Sequence, residues 1–175
     1  MDITKEVIFS EKKNLKLSSE SVAELVKCSV LNPSKKYRLC AHGSPEEALH
    51  EMFIVHAKSS YVRPHKHLNK IESFSVISGE VTVVVYDDDG QIIDSIAMGD
   101  FASGKPFYYR VGDGRYHSMV ITSEVLVFHE VTKGPFNRED TVFAPWSPDE
   151  SNADDLRRFL DQLKTKINIF EEGKD

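Results

Sequence analysis

Two cysteines in 175 residues are too few for a disulfide scaffold, and Cys28 and Cys40 lack the close pairing of a redox motif or zinc ribbon. Both are expected as buried, reduced thiols. No block of lysines or arginines occurs and the formal net charge is −6; without a basic face to neutralise phosphates, nucleic acid is not an expected partner. No apolar run approaches the roughly 20 residues of a membrane-spanning helix, so no membrane partner is expected either. Residues Met1 to Glu6 carry acids where an export signal carries a basic region, and no apolar core follows; the expected location is the cytoplasm. Internal repeats and low-complexity segments are absent, and helical patterns never alternate with strand patterns, which excludes a doubly wound α/β fold.

What is present is the composition of one soluble globular unit with appendages. Residues 1–35 read as an N-terminal arm and helix: Ser18 or Ser19 can cap it, Val22, Leu25, Val26 and Val30 recur at helical spacing, and Asn32-Pro33 stops it. Residues 36–146 read as a barrel. Short β-prone runs begin near Lys36, Met52, Glu72, Val81, Gln91, Phe107, Tyr116 and Val125, about eight strands at intervals of about ten residues, the pattern of a sandwich or barrel. Residues 147–175 read as a C-terminal helix and tail, with Leu156, Phe159, Leu160, Leu163 and Ile167 forming an apolar stripe. The expected class is all-β with a helix at each end.

One stretch carries chemistry. His65 and His67 stand two apart on a strand, and alternation puts both imidazoles on one face. Glu72 lies five residues past His67, the wrong parity for the same straight strand, so the chain must bend around Leu68-Asn69-Lys70 before the carboxylate can join. A fourth ligand must come from elsewhere. Arg63 precedes the pair by two residues and can share its face, where a guanidinium would clamp a carboxylate or phosphate. Tyr109 is a candidate for lining a cavity, or fills the sheet. Neither Cys nor any evident general base enters this group, so the catalytic residue is unknown from sequence.

The run His65-x-His67-x4-Glu72-x6-Gly79, followed by Gly114-x2-His117, resembles the two motifs of the cupin superfamily. That resemblance implies a double-stranded β-helix, a jelly-roll barrel, with His117 as the last metal ligand. Gly112 and Ile121 depart from the second motif at turn and packing positions. In its flanks the sequence is similar to the WbuC family of cupin metalloproteins, through Arg38 and His42, Arg63-Pro64-His65, Asp88-Asp89-Gly90, Glu130 to Pro135 and Ala144 to Pro148. The likeness implies a bound metal, a role for Arg38 and a setting in surface-polysaccharide biosynthesis.

Three imidazoles and one carboxylate suit one divalent transition metal ion, Zn, Mn, Fe, Ni or Cu, and leave positions open for a small-molecule ligand. The expected function is a Lewis-acid isomerase or epimerase acting on a sugar or nucleotide-sugar-like metabolite. An iron-dependent dioxygenase and a non-catalytic binding module are the alternatives. Because both terminal helices carry apolar faces that need cover, a homodimer is expected.

Overall fold

The computed structural model describes residues 5–112 and 114–174. β1 (Val7–Phe9) leads to α1 (Ser19–Leu31), then β2 (Lys36–Cys40), β3 (Leu49–Ala57), β4 (His65–His67), β5 (Glu72–Ser78) and β6 (Glu80–Tyr86). β7 (Ile92–Gly99), β8 (Tyr108–Val111), β9 (Tyr116–Ile121), β10 (Val125–Lys133), β11 (Thr141–Phe143) and α2 (Ala153–Glu172) complete the chain. The strands form two sheets, β1-β2-β3-β10-β5-β8 and β11-β4-β9-β6-β7. Only the β1–β2 pair is parallel among those described. Two strands escape the sequence pattern: β1 and β11 are three residues each, too short to show a period of two, whereas β4, equally short, is the strand expected at His65 and His67.

The sheets face one another as a jelly roll, and alternation along each strand decides what enters the core. Ile54, Phe74, Val76, Leu126 and Phe128 from the first sheet pack against Val81, Val83, Met98, Met119 and Ile121 from the second. The chain passes from the first sheet to the second between β5 and β6, and Gly79 makes that corner. Its φ is +92° and a Cβ there would meet the Val125 carbonyl oxygen at 2.3 Å, so both the backbone angle and the close approach require glycine.

Each helix covers the outer face of one sheet. α1 starts where the Ser18 side chain accepts the Ser21 N–H and the Ser21 hydroxyl accepts the Ser18 N–H, a reciprocal cap. It lays Leu25 and Cys28 on Tyr37, Leu39, Val55 and Val127 of the first sheet. α2, capped by Asn152, places Phe159, Leu163 and Ile167 against Tyr86, Tyr116 and Trp146 on the second. The apolar helix faces are therefore covered within the chain, which removes the physical reason the sequence offered for a dimer. Cys28 and Cys40 are both buried free thiols, and burial pushes Cys40 up to about 11, so it is inert.

Candidate metal centre

The centre is assembled from three strands of two sheets. On β4, His65 and His67 share a face, and His65 lies directly across from His117 of β9. The chain then turns through Asn69, whose φ of 60° is a left-handed conformation that asparagine tolerates. That bend corrects the parity and delivers Glu72 from β5, in the opposite sheet. One carboxylate oxygen lies 2.8 Å from His67 Nε2 and the other 2.9 Å from His117 Nε2. The donor atoms of His65, His67, Glu72 and His117 all lie within 4.8 Å of one another.

The outward nitrogens of the three rings are occupied. His65 Nδ1–H donates to the Arg63 carbonyl at 2.8 Å, His117 Nδ1–H to the Arg115 carbonyl at 3.1 Å, and His67 Nδ1 meets the Thr141 hydroxyl at 3.3 Å. The two carbonyl acceptors hold a proton on Nδ1 of His65 and His117, the Thr141 hydroxyl anchors the His67 ring, and each Nε2 is thereby turned inward, the arrangement that ring orientation around a cation requires. His67 Nε2 gives the sharpest test. It is buried, and a Glu72 oxygen lies 2.8 Å from it. Buried ring nitrogens crowded against a carboxylate are satisfied together by one cation that all of them ligate, so these residues fit a metal ion.

The protonation states agree. Burial, reinforced by His117, pushes His65 down to about 4, leaving it neutral near pH 7. Burial opposes the charge on Glu72, yet the contacts from His117 and His67 overcome it and hold the carboxyl well below the usual carboxylate range. Burial likewise opposes the charge on His117, and the Glu72 carboxylate outweighs it, raising its pKa. The metal-free group is thus an ion pair waiting to exchange a proton for a cation.

The ligands open onto a cavity of about 270 Å³, whose remaining walls include Arg38, Ile54, His56, Phe128, Glu130 and Thr141. A second, more open cavity of about 380 Å³ shares Arg38, His56, Val62, His65 and Phe143 with it. Of the residues anticipated for substrate, Arg38 lies on β2 at the junction of the two cavities. Arg63 does not line the metal cavity: its guanidinium donates to the Ser147 hydroxyl and carbonyl and pairs with Asp149 at 3.0 Å. It clamps the 144–149 segment, while its backbone carbonyl orients His65. Tyr109 packs against Phe74, ring centroids 5.9 Å apart, beside the core and outside both sets of lining residues.

From sequence, Glu130 counts among the residues that carry the family resemblance, and His56 reads as a satisfied core histidine or a group that orients a ligand. Glu130 lines the cavity on β10, where burial, with Glu72 adding to it, raises its carboxyl to about 7. His56 is 8% exposed and its Nδ1 has no partner; burial pushes it down to about 3. Strand parity was the available signal: Glu130 has the same parity as Phe128, and His56 as Ile54, both core residues.

Two facing antiparallel sheets with the ligand group between them define a cupin jelly roll. Residues 17–98 match a family described as a domain of unknown function, DUF6016, a stretch that holds His65, His67 and Glu72 but stops short of His117. No curated protein matches the chain. Among solved structures the chain is similar to protein SO0799 from Shewanella oneidensis, with 10% identity, a TM-score of 0.52, and 63% of this chain and 74% of that one covered. It is also similar to the capsular polysaccharide assembling protein CapF from Staphylococcus aureus, with 14% identity, a TM-score of 0.48, and coverage of 62% and 31%. A variant of Bacillus subtilis oxalate decarboxylase gives 21%, 0.46, and coverage of 62% and 27%. At these identities the likeness is one of fold, and the chain spans less than a third of the length of the last two.

Proposed function

We propose that the protein is a metal-dependent cupin enzyme of the isomerase or epimerase type, acting on a small sugar-like metabolite in surface-polysaccharide biosynthesis, in the manner of the WbuC-like proteins its flanks resemble. The observation that carries this is the gathering of three histidines and one carboxylate, their donor atoms within 4.8 Å of one another, at the wall of a cavity. His65, His67, Glu72 and His117 would hold the cation, which supplies Lewis acidity toward a substrate carbonyl or hydroxyl pair. Arg38 binds the substrate, Arg63 acts through the clamp on the 144–149 segment, and Tyr109 supports the cavity from the core. At about 270 Å³ the metal cavity lies at the small end of ligand sites, which favours a single sugar unit over a whole nucleotide sugar.

Elemental analysis of the isolated protein, followed by proton NMR in deuterated water with a panel of sugars and sugar phosphates, tests this. One metal per chain, with exchange of a substrate C–H for deuterium, is expected. Bound metal with no exchange from any member of the panel overturns the isomerase assignment. Oxygen uptake by the ferrous protein would move it to a dioxygenase, and tight binding without turnover to a binding module. The cytoplasm is the proposed location. A homodimer is also proposed, through surfaces other than the helix faces, such as exposed Phe101, Phe107 and Tyr108 beside edge strand β8; sedimentation as a monomer would contradict it.

A further inference from the structure

The wall across from the three histidines carries three groups of complementary chemistry with nothing to bind. Arg38, His56 and Glu130 all line the metal cavity. Among the described residues, neither the Arg38 guanidinium nor the Glu130 carboxyl takes part in a hydrogen bond or ion pair, although the two feel one another's charge. His56 Nδ1 is buried and equally unpartnered. Elsewhere on the chain charged side chains beside the cavities do find partners: Arg63 with Asp149 and Lys36 with Glu150, the latter at 2.7 Å. A guanidinium and a carboxyl left apart in the same cavity, rather than paired, are spaced by the fold.

The register sets that spacing. Thr132 lies opposite Glu72 and Glu130 opposite Phe74 across the β10–β5 pair, so Glu130 is the same-face diagonal neighbour of the ligand Glu72, about 7–8 Å away. Arg38 pairs with Ile54 on β3, which pairs in turn with Phe128 on β10. Two strand spacings, about 9–10 Å, therefore separate the strands of Arg38 and Glu130. From the metal group outward the wall offers first a carboxyl, then, farther off, a guanidinium with the imidazole of His56 beside it. A carboxyl next to the ligands accepts a hydrogen bond from a hydroxyl, and a guanidinium takes a carboxylate in two-point geometry.

We propose that Arg38, Glu130 and His56 form a substrate subsite that selects a small hydroxy acid, its carboxylate held by Arg38 and a hydroxyl by Glu130, over a neutral sugar. This rests on the reading of the centre as a metal-bearing sugar site and narrows it to the acid form of the sugar unit. The apolar neighbours Ile54 and Phe128 exclude water between the two polar contacts, which strengthens both.

Isothermal titration calorimetry of the metal-loaded protein with D-gluconate, D-glucose and hexanoate tests the subsite without relying on turnover. Gluconate is expected to bind at least about tenfold more tightly than either the neutral sugar or the acid without hydroxyls, the scale of a charge-assisted contact. Arg38→Gln should reduce gluconate to the level of glucose, and Glu130→Leu should reduce it to the level of hexanoate; thermal melts verify that each variant folds. Equal binding of gluconate and glucose to the unaltered protein, or no gluconate binding at millimolar concentration, overturns the proposal without any variant. Metal content measured on the same samples separates the two readings. Bound metal without acid preference sinks the subsite alone, whereas an Arg38-dependent preference in protein that takes up no metal sustains the subsite and sinks the metal centre.

Discussion

The two walls of the metal cavity are finished to different degrees. On the histidine wall each Nδ1 has an acceptor, and Glu72 spans two of the rings. On the wall of Arg38, His56 and Glu130 the polar groups stand unpaired. Outer partners fix ring direction and protonation before a cation arrives, so the histidine wall is built for one permanent occupant. Unpaired groups cost free energy until something binds, which is why the facing wall is proposed as the one that takes the ligand. The three imidazoles come from β4 and β9 of one sheet, whereas Arg38, His56 and Glu130 come from β2, β3 and β10 of the other, which also supplies Glu72.

The contrast breaks most severely if Glu72 is removed. Glu72→Ala leaves His67 and His117 without the carboxylate between them, and metal affinity should fall by more than the roughly 10–100-fold that loss of an outer partner costs, read by competition with a chromophoric chelator. A smaller loss would mean that the partnered wall is not the metal wall. Proton release should accompany metal uptake. His117 has its pKa raised by Glu72, so it keeps its proton over a pH range above that of an ordinary histidine, and a cation must displace it. Metal affinity should weaken as pH falls through that range, and titrations in buffers of different ionisation enthalpy should show the released proton. For the metal-free protein the sign runs the other way. The ion-pair contribution of His117 is complete below the ordinary histidine value of 6.5 and is lost as pH rises through its folded value. Stability that declines with pH in metal-free but not in metal-loaded protein is the expected result.

A smaller effect tests the unpaired wall. Glu130, raised from 4.5 to about 7, favours the folded state only while protonated, so its contribution is lost as pH rises from the lower value through the upper. Glu130→Gln should therefore stabilise the metal-free protein at pH 8 by about 1–3 kcal/mol, with the gain vanishing below pH 4.5; urea denaturation measures it. If Glu130→Gln instead destabilises at pH 8, the carboxyl has a partner and the two walls are alike. The mildest change is Arg63→Ala. It removes the clamp on Ser147 and Asp149 at a cost of about 1–3 kcal/mol but leaves the backbone carbonyl that orients His65, so metal stoichiometry should not change.

Much of this was legible in the residues. The parity mismatch between His67 and Glu72 demanded a bend, and Asn69 makes it. Apolar periodicity located α1 and α2, though not what they cover, because a stripe shows that a face is buried without naming its partner. The short strands β1 and β11 were hidden because three residues cannot display alternation. Arg63 is a subtler case, lining the second cavity rather than the metal cavity. Its position two before His65 put it beside the ligand pair, but whether its guanidinium turned to the cavity depended on Ser147 and Asp149, far along the chain.

The sequence by itself determined the ligand types and their strand spacing, since imidazoles two apart on a strand share a face whatever surrounds them. Gly79 belongs to the same category, being the residue a positive φ and a 2.3 Å approach allow. Only the tertiary structure decided which other groups meet those ligands. Arg38, His56 and Glu130 lie on three strands whose side-by-side order, β2, β3, β10, arises from long-range pairing. Local periodicity fixes the face on which a side chain emerges, but sheet order and register fix its neighbours.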